Sequence, residues 1–394
     1  MSATTRKVPI CRVVTGDAEK KAVCRVIDSG WLVQGQEVAR FEQRIAAMNK
    51  VEHGIATTSC TTALHLALKA LGVQPGDEVI VPGFTWVSTA NAVWHCGATP
   101  IFCDIELTTW NINPLGIEQH ITDRTVGIIP VHLFGLFADM PQIAAIAEKY
   151  NLWLVEDAAC ALGSQLLGTS PGQRSDAACF SFHPRKSITT GEGGMIITNR
   201  QDLAERSRTL RNHGASISDH QRHHGKAGFL LAEFNEFGFN CRMTDLQAAI
   251  GCSQLDRFET ILTERTACAD FYSAALFDLP WLVTPQHAET SIHSWQSYVC
   301  LFAPEKPSVT NREVLEDRRN ALLMAMEDRG VTTRQGTHAP VKLGCYKDAY
   351  GLTESQYPSS WQADSLSVSL PLFPGLSEDD MIYVVETLQS AFRE

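Results

Sequence analysis

The strongest constraint on the fold is the alternation of short apolar runs with amphipathic segments over the first two-thirds of the 394-residue chain. Short apolar runs predict buried strands, and apolar residues spaced three or four apart predict helices. The predicted strands are 78–81, 100–104, 126–132, 152–156, 177–182 and 194–198, and the predicted helices are 17–28, 36–48, 61–71, 87–95 and 141–150. Because strands joined by helices usually pair in parallel, this pattern predicts an α/β domain whose sheet is covered on both faces.

Near residue 250 the alternation gives way to a different order of elements. A predicted helix over 244–269 is followed by strand 297–303, helix 311–329, strand 331–334 and helix 377–392. We therefore predict a large α/β domain over residues 1–255 and a smaller α+β domain over residues 256–394.

Composition excludes several classes of protein. A formal net charge of −11 disfavours binding to nucleic acid or to an anionic membrane. No apolar run approaches the ~18 residues that a membrane span needs. The 12 cysteines lack CxxC pairs and zinc-ligand spacing, so they are predicted to be reduced thiols of a cytoplasmic protein. Histidines between residues 212 and 230 also lack paired cysteine or acidic ligands, and no metal site is expected.

Two ionisable residues follow apolar strands and suggest a ligand site. Asp157 ends the run LWLVE, and Lys186 follows strand 177–182 and precedes a glycine-rich turn. Ligands of open α/β sheets bind beyond the carboxyl ends of strands. A lysine there can form an imine with an aldehyde cofactor, and a buried aspartate needs a cationic partner. Taken singly, a lysine after a strand is better explained as a solvated surface group, and capping of the next helix is the alternative role for Asp157.

Two further segments fit the same kind of ligand. In TTSCTTALHLAL, residues 57–68, hydroxyl side chains precede a strong helix, whose N-terminus can bind a phosphate. Plain helix capping by Ser59 or Thr61 explains the same residues. In PGFTWVSTAN, residues 82–91, Phe84 or Trp86 could stack on an aromatic ring or pack in the core. Neither GxGxxG nor a GxxxxGK[ST] loop is present, which argues against a dinucleotide-dependent dehydrogenase.

Seven segments in this order resemble the DegT/DnrJ/EryC1/StrS aminotransferases, the sugar aminotransferases of pyridoxal-phosphate (PLP) fold type I. They are TTSCTTALHLAL, GDEVIVPGFTWVSTANAV, GATPIFCDI, IIPVHLFG, VEDAACALGS, FSFHPRKSITTGEGGMIIT and FGFNCRMTDLQAAIG. The resemblance covers nearly the whole chain. It implies an α/β fold, with a large domain whose mixed, mostly parallel sheet lies between helices and a smaller C-terminal α+β domain.

The resemblance also implies roles for individual residues. Lys186 matches the Schiff-base lysine, and Asp157 matches the carboxylate that meets the pyridine nitrogen and keeps it protonated. The other implied cofactor-binding positions are Ser59, Cys60, Thr61, Trp86, Cys160, Ser181, Asn240 and Arg242. Asn240 and Arg242 match a segment that reaches the phosphate in a neighbouring subunit, which implies a homodimer with shared active sites.

Two positions depart from the family pattern. Cys60 replaces a common glycine, and Cys160 stands where glutamine or histidine usually lies near the cofactor's phenolic oxygen. Because a thiol is a weak donor, that second contact is expected to be weaker here or supplied by another group. His183 and His338 are candidate substrate contacts, although a packed or solvated histidine would explain each of them as well.

The resemblance implies amino transfer from an amino acid, L-glutamate by analogy, to a nucleotide-linked keto-sugar. The sequence TTGEGGM after Lys186 favours reaction at C4 of a 4-keto-6-deoxy sugar. The alternatives are a 3-keto sugar nucleotide aminated at C3, a keto-inositol acceptor, and a regulatory homologue that binds PLP or sugar without turnover. The last should lack Lys186 or Asp157, and both are present.

Overall fold

The structure is a computed structural model that describes residues 6–216 and 232–393. Of the histidines between residues 212 and 230, only His213 lies in these ranges, so the expectation for His220, His223 and His224 falls outside the described residues. Among the described residues there is no group of three or more His, Cys, Asp or Glu side chains placed to hold a metal ion. In the same residues no helix is long and apolar enough to cross a membrane.

The large domain is built on a mixed seven-stranded sheet. Its strands are β1 (His53–Thr57), β2 (Glu78–Pro82), β3 (Thr99–Cys103), β4 (Thr125–Ile128), β5 (Trp153–Asp157), β7 (Ala177–Ser181) and β8 (Gly194–Thr198). The order across the sheet is β1-β8-β7-β5-β4-β2-β3. The strands from β7 to β3 pair in parallel, and β8 is antiparallel to both neighbours. The prediction of a mixed, mostly parallel sheet is therefore confirmed.

Helices accompany this sheet. The first five given below occupy nearly the predicted positions, the sixth, over 201–211, had no prediction, and the last falls within the helix expected over 244–269. The helices are α1 (Asp17–Ser29), α2 (Gln36–Met48), α3 (Cys60–Leu71), α4 (Ser88–His95), α5 (Met140–Tyr150), α6 (Gln201–Arg211) and α7 (Asp245–Leu255). The start of α3 is set by Ser59, whose side chain accepts a hydrogen bond from the Thr62 amide, and its end by Gly72 at φ 89°. An N-cap hydroxyl and a left-handed glycine are the usual signals for these two ends.

Alternate residues of the strands enter different cores. Val79 and Val81 of β2 belong to one apolar cluster, whereas Ile80 belongs to another on the opposite face. In β8, Ile196 and Ile197 divide in the same way. All five side chains are fully buried. Because successive side chains of a strand point to opposite faces, burial on both faces produces continuous apolar runs rather than polar alternation.

The C-terminal part contains a smaller sheet with helices. It comprises α8 (Phe258–Leu276), β9 (Leu282–Val283), β10 (Ser291–Ile292), β11 (Tyr298–Phe302), α9 (Arg312–Asp328), α10 (Gly344–Tyr350), α11 (Pro358–Leu366), β12 (Ser367–Leu370) and α12 (Glu378–Arg393). Strands β12, β11 and β9 form an antiparallel sheet. Strand β10 pairs with β6 (Gln165–Leu166), which lies earlier in the chain. The division into two domains at residue 255 remains our interpretation.

Two sequence predictions in this part are wrong. The single helix expected over 244–269 is two helices, because Arg257 leaves helical geometry at φ −122° and ψ 19°. Its guanidinium donates to the Val14 carbonyl and to Glu19, which ties this joint to the N-terminal segment. The strand expected at 331–334 makes only isolated bridges, from Val331 to Val8 and from Arg334 to Ser369. Hydrophobic periodicity does not report either long-range contact.

Gly135 allows two distant parts of the chain to approach closely. Its φ is +101°, and a Cβ atom there would lie 2.5 Å from Ser294 Oγ and 3.0 Å from the Trp295 nitrogen. We expect Gly135→Ala to lower the free energy of unfolding by about 3 kcal/mol, through backbone strain together with the clash. Urea unfolding followed by circular dichroism measures this change.

Gly351 offers the matched control for that substitution. It has a φ of +64°, but nothing lies within 4 Å of a Cβ built on it. Gly351→Ala should therefore cost only about 1 kcal/mol, the conformational part alone. Equal losses in the two variants would show that the approach of Ser294 and Trp295 to Gly135 has no energetic role.

Candidate active site

The candidate site lies where β5 and β7 end, at the carboxyl edge of the parallel strands. Asp157 is the last residue of β5 and Ser181 the last residue of β7. The chain then turns, and the Lys186 amide donates to the His183 carbonyl at 2.9 Å. Parallel pairing of β5 with β7 places both strand ends at the same edge. The turn after β7 thereby brings Lys186 towards the loop that follows Asp157.

Lys186 contacts the loop that follows Asp157. Its Nζ lies 3.1 Å from Cys160 Sγ. Burial lowers the pKa of Lys186, but Cys160, Cys60 and Asp157 more than offset burial, and the net direction is upward. The ammonium form is therefore favoured while Lys186 carries no covalent partner.

Asp157 is a buried carboxylate whose hydrogen bonds come from neutral groups. Its side chain accepts a hydrogen bond from Thr89 Oγ1 at 2.8 Å and another from the Ala159 amide at 3.1 Å. Among the described residues no lysine or arginine forms an ion pair with it. Burial raises the pKa of Asp157, and these two hydrogen bonds, Lys186 and His132 oppose that rise. A buried carboxylate of this kind is stabilised by a cation, and a protonated pyridine nitrogen supplies one.

The start of α3 is arranged to receive an anion. Ser59 caps the Thr62 amide, and the Cys60 and Thr61 amides belong to the first turn, where no intrahelical acceptor exists. Thr61 Oγ1 lies 2.9 Å from Ser88 Oγ at the start of α4. Gly194 of β8 lies directly against this turn, because a Cβ there would be 2.3 Å from the Ser59 carbonyl carbon. Free amides and two hydroxyls form a suitable seat for a phosphate.

Cys60 keeps its side chain out of the phosphate seat. Its Sγ is buried, 3.5 Å from the Cys179 carbonyl and 4.0 Å from Asp157 Oδ1. Burial first, and then the neighbouring Asp157, raise the pKa of Cys60 well above its ordinary value, so the thiol is neutral near pH 7. The glycine expected from the family pattern is therefore not required here.

The next candidate residues are Trp86, Ser181, His183 and His338. Trp86 is 53% exposed, and its ring centroid lies 5.8 Å from that of the exposed His338, whereas Phe84 is fully buried among core aromatics. Trp86 is thus the accessible aromatic of the pair. Ser181 accepts a long hydrogen bond from the His183 amide, at 3.4 Å. Burial lowers the pKa of His183, which favours its neutral form near pH 7.

Asn240 and Arg242 flank Cys241, which is hydrogen-bonded to the segment just before α3. The Thr58 amide donates to the Cys241 carbonyl at 3.1 Å. Arg242 donates to Asn212 Oδ1 at 2.6 Å, and Asn240 pairs with Asn212 through the backbone. No hydrogen bond or ion pair in the described ranges joins Asn240 or Arg242 to Lys186 or Asp157. Their assignment to a phosphate remains a prediction.

Sequence reasoning missed three contacts of this site. Thr89 bonds Asp157, Ser88 bonds Thr61, and Arg265 reaches the Lys186 carbonyl at 3.5 Å. The hydroxyl-rich start of α4, STAN, carries a signal for the first two, because it follows the carboxyl end of a strand, where ligands of open α/β sheets bind. No sequence signal identified Arg265.

The buried His293 should make stability depend on pH. It is stacked on Trp295 with centroids 3.8 Å apart, and its Nδ1 accepts from the Trp295 amide at 2.9 Å. Burial lowers the pKa of His293 to about 3. Below pH 6.5 the unfolded chain binds a proton that the folded protein does not, so stability falls as the pH falls. From pH 7 to pH 5 this costs about 2 kcal/mol.

Replacing His293 should remove this part of the pH dependence. His293→Asn retains an acceptor for the Trp295 amide but has no proton to gain. We expect its free energy of unfolding, measured with urea, to fall by about 2 kcal/mol less than that of the wild type between pH 7 and pH 5. Parallel pH profiles for the two proteins would contradict the assignment of a neutral, buried His293.

Together, a lysine beside a buried carboxylate and a helix N-terminus with nearby hydroxyls form a site suited to PLP. Lys186 matches its aldehyde, Asp157 its ring nitrogen, and the start of α3 its phosphate. A buried carboxylate that forms no ion pair with a lysine or arginine of the described residues is the observation that most specifically fits the cofactor. This combination on an α/β sheet of this topology defines the class of PLP-dependent enzymes.

Comparison with known proteins identifies the family. The family model for DegT/DnrJ/EryC1/StrS aminotransferases matches residues 14–389. The spore coat polysaccharide biosynthesis protein SpsC of Bacillus subtilis is 36% identical over 383 residues, which cover 97% of this chain and 96% of SpsC. The chain therefore belongs to the DegT/DnrJ/EryC1/StrS aminotransferase family, and the predicted PLP-dependent aminotransferase is confirmed.

Solved structures agree with this assignment. Spr1654 of Streptococcus pneumoniae, described as a sugar aminotransferase, matches in its PMP form with a TM-score of 0.90 and 26% identity, covering 98% of this chain and 99% of that one. It has also been solved in a PLP form. DesV of S. venezuelae matches with a TM-score of 0.87 and 30% identity, covering 99% of this chain and all of DesV. The predicted fold of PLP aminotransferases is thereby confirmed.

Proposed function

We propose that this enzyme transfers an amino group from an amino acid, L-glutamate, to a nucleotide-linked keto-sugar, at C4 of a 4-keto-6-deoxy sugar. The observation that carries the chemistry is the placement of Lys186 and the buried carboxylate of Asp157 on adjoining strand ends. The acceptor is supported by the relatives, since SpsC is named for polysaccharide biosynthesis and Spr1654 as a sugar aminotransferase.

Each residue has a definite task in this proposal. PLP supplies an electron sink that stabilises negative charge formed at the amino acid's α-carbon. Lys186 Nζ would hold the cofactor and, as a free amine, would take the proton from the amino acid's α-carbon and return it at the cofactor's C4′. Asp157 would meet the ring nitrogen, and Thr89 orients that carboxylate. The start of α3 would bind the phosphate through its free amides.

The accessible face of the site is open to a sugar. Trp86 and His338 lie together at this face, and the Thr85 amide donates to the His338 carbonyl at 3.1 Å. An exposed aromatic pair can pack on a pyranose ring or a base. Asp364 holds the loop that carries His338, because its Oδ1 accepts from the Ala339 amide at 2.8 Å. We propose His338 and His183 as contacts of the sugar substrate.

The proposal includes a cytoplasmic homodimer with shared active sites. Exposed apolar side chains occur just before the Asn240–Arg242 segment and on the loop before α2. They are Phe234, Phe237, Leu32 and Val33, with exposed fractions of 63%, 101%, 44% and 53%. Such a surface is expected to be covered by a second copy of the chain. Light scattering during size-exclusion chromatography should give twice the chain mass.

The spectrum of the purified protein tests the function. With PLP the protein should show a visible absorbance band, which L-glutamate should bleach and one keto-sugar nucleotide should restore. The acceptors to compare are the dTDP- and UDP-linked 4-keto-6-deoxyglucoses. Restoration by one of them supports C4 chemistry and identifies the nucleotide.

The other outcomes separate the alternatives. If glutamate bleaches the band and only a 3-keto sugar nucleotide or a keto-inositol restores it, the proposed acceptor is wrong while the cofactor chemistry stands. A band that no amino donor changes would indicate a binding protein without turnover. Absence of any band with added PLP would overturn the proposed function as a whole.

A further inference from the structure

A short segment of the C-terminal part forms hydrogen bonds with the backbone of the active-site loops. Residues 294–296, called the anchor segment below, follow β10 and precede β11. Ser294 Oγ donates to the Cys160 carbonyl at 3.0 Å, and Gln296 Nε2 donates to the Arg185 carbonyl at 3.0 Å. Cys160 is the residue that contacts Lys186 Nζ, and Arg185 directly precedes Lys186. The anchor segment thus holds both loops that meet at the lysine.

Arg265 of α8 joins the anchor segment to Lys186 itself. Its Nη1 donates to the Trp295 carbonyl at 3.0 Å and to the Gln296 carbonyl at 3.3 Å. Its Nη2 lies 3.5 Å from the Lys186 carbonyl, a long contact. One rigid guanidinium therefore spans the anchor segment and the lysine, which a flexible ammonium group could not do with the same geometry.

The free-energy cost of burying the Arg265 guanidinium argues that this residue has a role beyond packing. Arg265 is 3% exposed, its Nε has no hydrogen-bond partner, and no carboxylate in the described residues pairs with it. Burial lowers its pKa to about 10. Trp295, which it bonds, has a φ of 48°, a conformation that bulky side chains rarely adopt. An unpaired buried cation next to a strained backbone is costly, and such costs concentrate at functional sites.

We propose that Arg265 is a positioning residue for Lys186, acting through the anchor segment. By holding the carbonyls of Trp295, Gln296 and Lys186 it fixes the backbone from which the Lys186 side chain extends. The Nζ atom must reach the cofactor and later a carbon of the bound substrate, and an error of about 1 Å in such a position can cost about 100-fold in rate. This inference rests on the proposed function, because it assigns Lys186 the role of moving a proton.

Arg319 of α9 provides a matched control. It is 2% exposed, donates to the Ser367 carbonyl at 3.1 Å and also has a buried Nε without a partner. Burial lowers its pKa as well. It differs from Arg265 in bonding β12 of the C-terminal sheet rather than the lysine loop. Arg265→Lys and Arg319→Lys therefore make the same chemical change, a planar guanidinium replaced by an ammonium group, at two places in one protein.

The experiment compares thermal stability with two rates in the full-length protein. The first is the rate at which protein stripped of cofactor recaptures added PLP, followed by absorbance, and the second is bleaching of the loaded enzyme by L-glutamate. Both arginine variants should lower Tm. Arg265→Lys should slow recapture about tenfold and bleaching by about 10- to 100-fold, whereas Arg319→Lys should leave both rates within about twofold of wild type.

Other outcomes distinguish failure of the inference from failure of the function. Equal rates in the two arginine variants, at comparable Tm, would show that Arg265 is merely structural. If Arg265→Lys does not fold, Gln296→Ala tests the same link and should slow recapture about threefold, through loss of one hydrogen bond; an unchanged rate there overturns the inference. If the wild type itself neither captures PLP nor responds to glutamate, the proposed function fails first.

Discussion

Lys186→Ala is expected to lose amino transfer by at least about 10⁴-fold, because one side chain supplies both the link to the cofactor and the proton transfer. The variant should still bind PLP through the start of α3 and Asp157, but without the visible band of the wild type. Single-turnover absorbance with L-glutamate measures the loss. Mass spectrometry after borohydride treatment should find the cofactor attached to Lys186 in the wild type and to no residue in the variant.

Lys186→Arg separates the loss of the amine from the loss of the charge. Arginine keeps a cation beside Cys160 and Asp157, but a guanidinium does not form the covalent link or exchange a proton near neutral pH. We expect it to be as inactive as the alanine variant while retaining more of the wild-type stability. Arg185→Ala, at the exposed neighbouring position, should keep nearly full activity. Activity within about tenfold of wild type in either Lys186 variant would exclude the proposed role.

Asp157→Asn is expected to slow the reaction with L-glutamate by about 10²- to 10³-fold, because an amide cannot hold the ring nitrogen in its protonated state. The substitution keeps the shape of the side chain and can still accept from Thr89, so the fold should persist. Removing a buried carboxylate with raised pKa should even leave the cofactor-free protein as stable as wild type near pH 7. The same absorbance assay measures the rate, and urea unfolding measures the stability.

Glu156→Gln is the control for that prediction. Glu156 precedes Asp157 on β5 and is 1% exposed, but it points to the other side of the strand. It bonds His132, the Gly172 amide and Ser175 rather than the active site. Its replacement should lower stability while changing the rate with glutamate less than about fivefold. Similar rate losses at positions 156 and 157 would mean that the effect is structural.

The two thiols of the site show how far residue-by-residue comparison with a family can reach. Cys60 stands where the family pattern has a glycine. The structure shows why a side chain is tolerated there, since it points towards the Cys179 carbonyl and leaves the first turn of α3 free. The thiol of Cys160 instead contacts Lys186 Nζ directly. A contact of Cys160 with the cofactor's phenolic oxygen remains a prediction.

The strands of the parallel sheet and the candidate lysine and carboxylate could be recognised from the amino-acid pattern alone. Strands buried on both faces are continuous apolar runs, so β2, β5 and β8 were evident, and helices such as α2 and α5 matched their periodicity within a residue or two. Strand β1, with the short polar-edged sequence HGIAT, has no such run and was missed. Asp157 and Lys186 were recognisable because each is a charged residue that comes directly or shortly after an apolar run.

Which side chains meet depends on how the elements pack. Thr89 reaches Asp157 across 68 residues of sequence, Ser294 reaches Cys160 across 134, and Arg265 reaches Lys186 across 79. Local periodicity reports which face of an element is buried, but not the partner element or its register. Strand order and the packing of α8 against the lysine loop set these contacts. They place a neutral hydroxyl on the carboxylate and an unpaired guanidinium behind the lysine, neither of which a sequence pattern specifies.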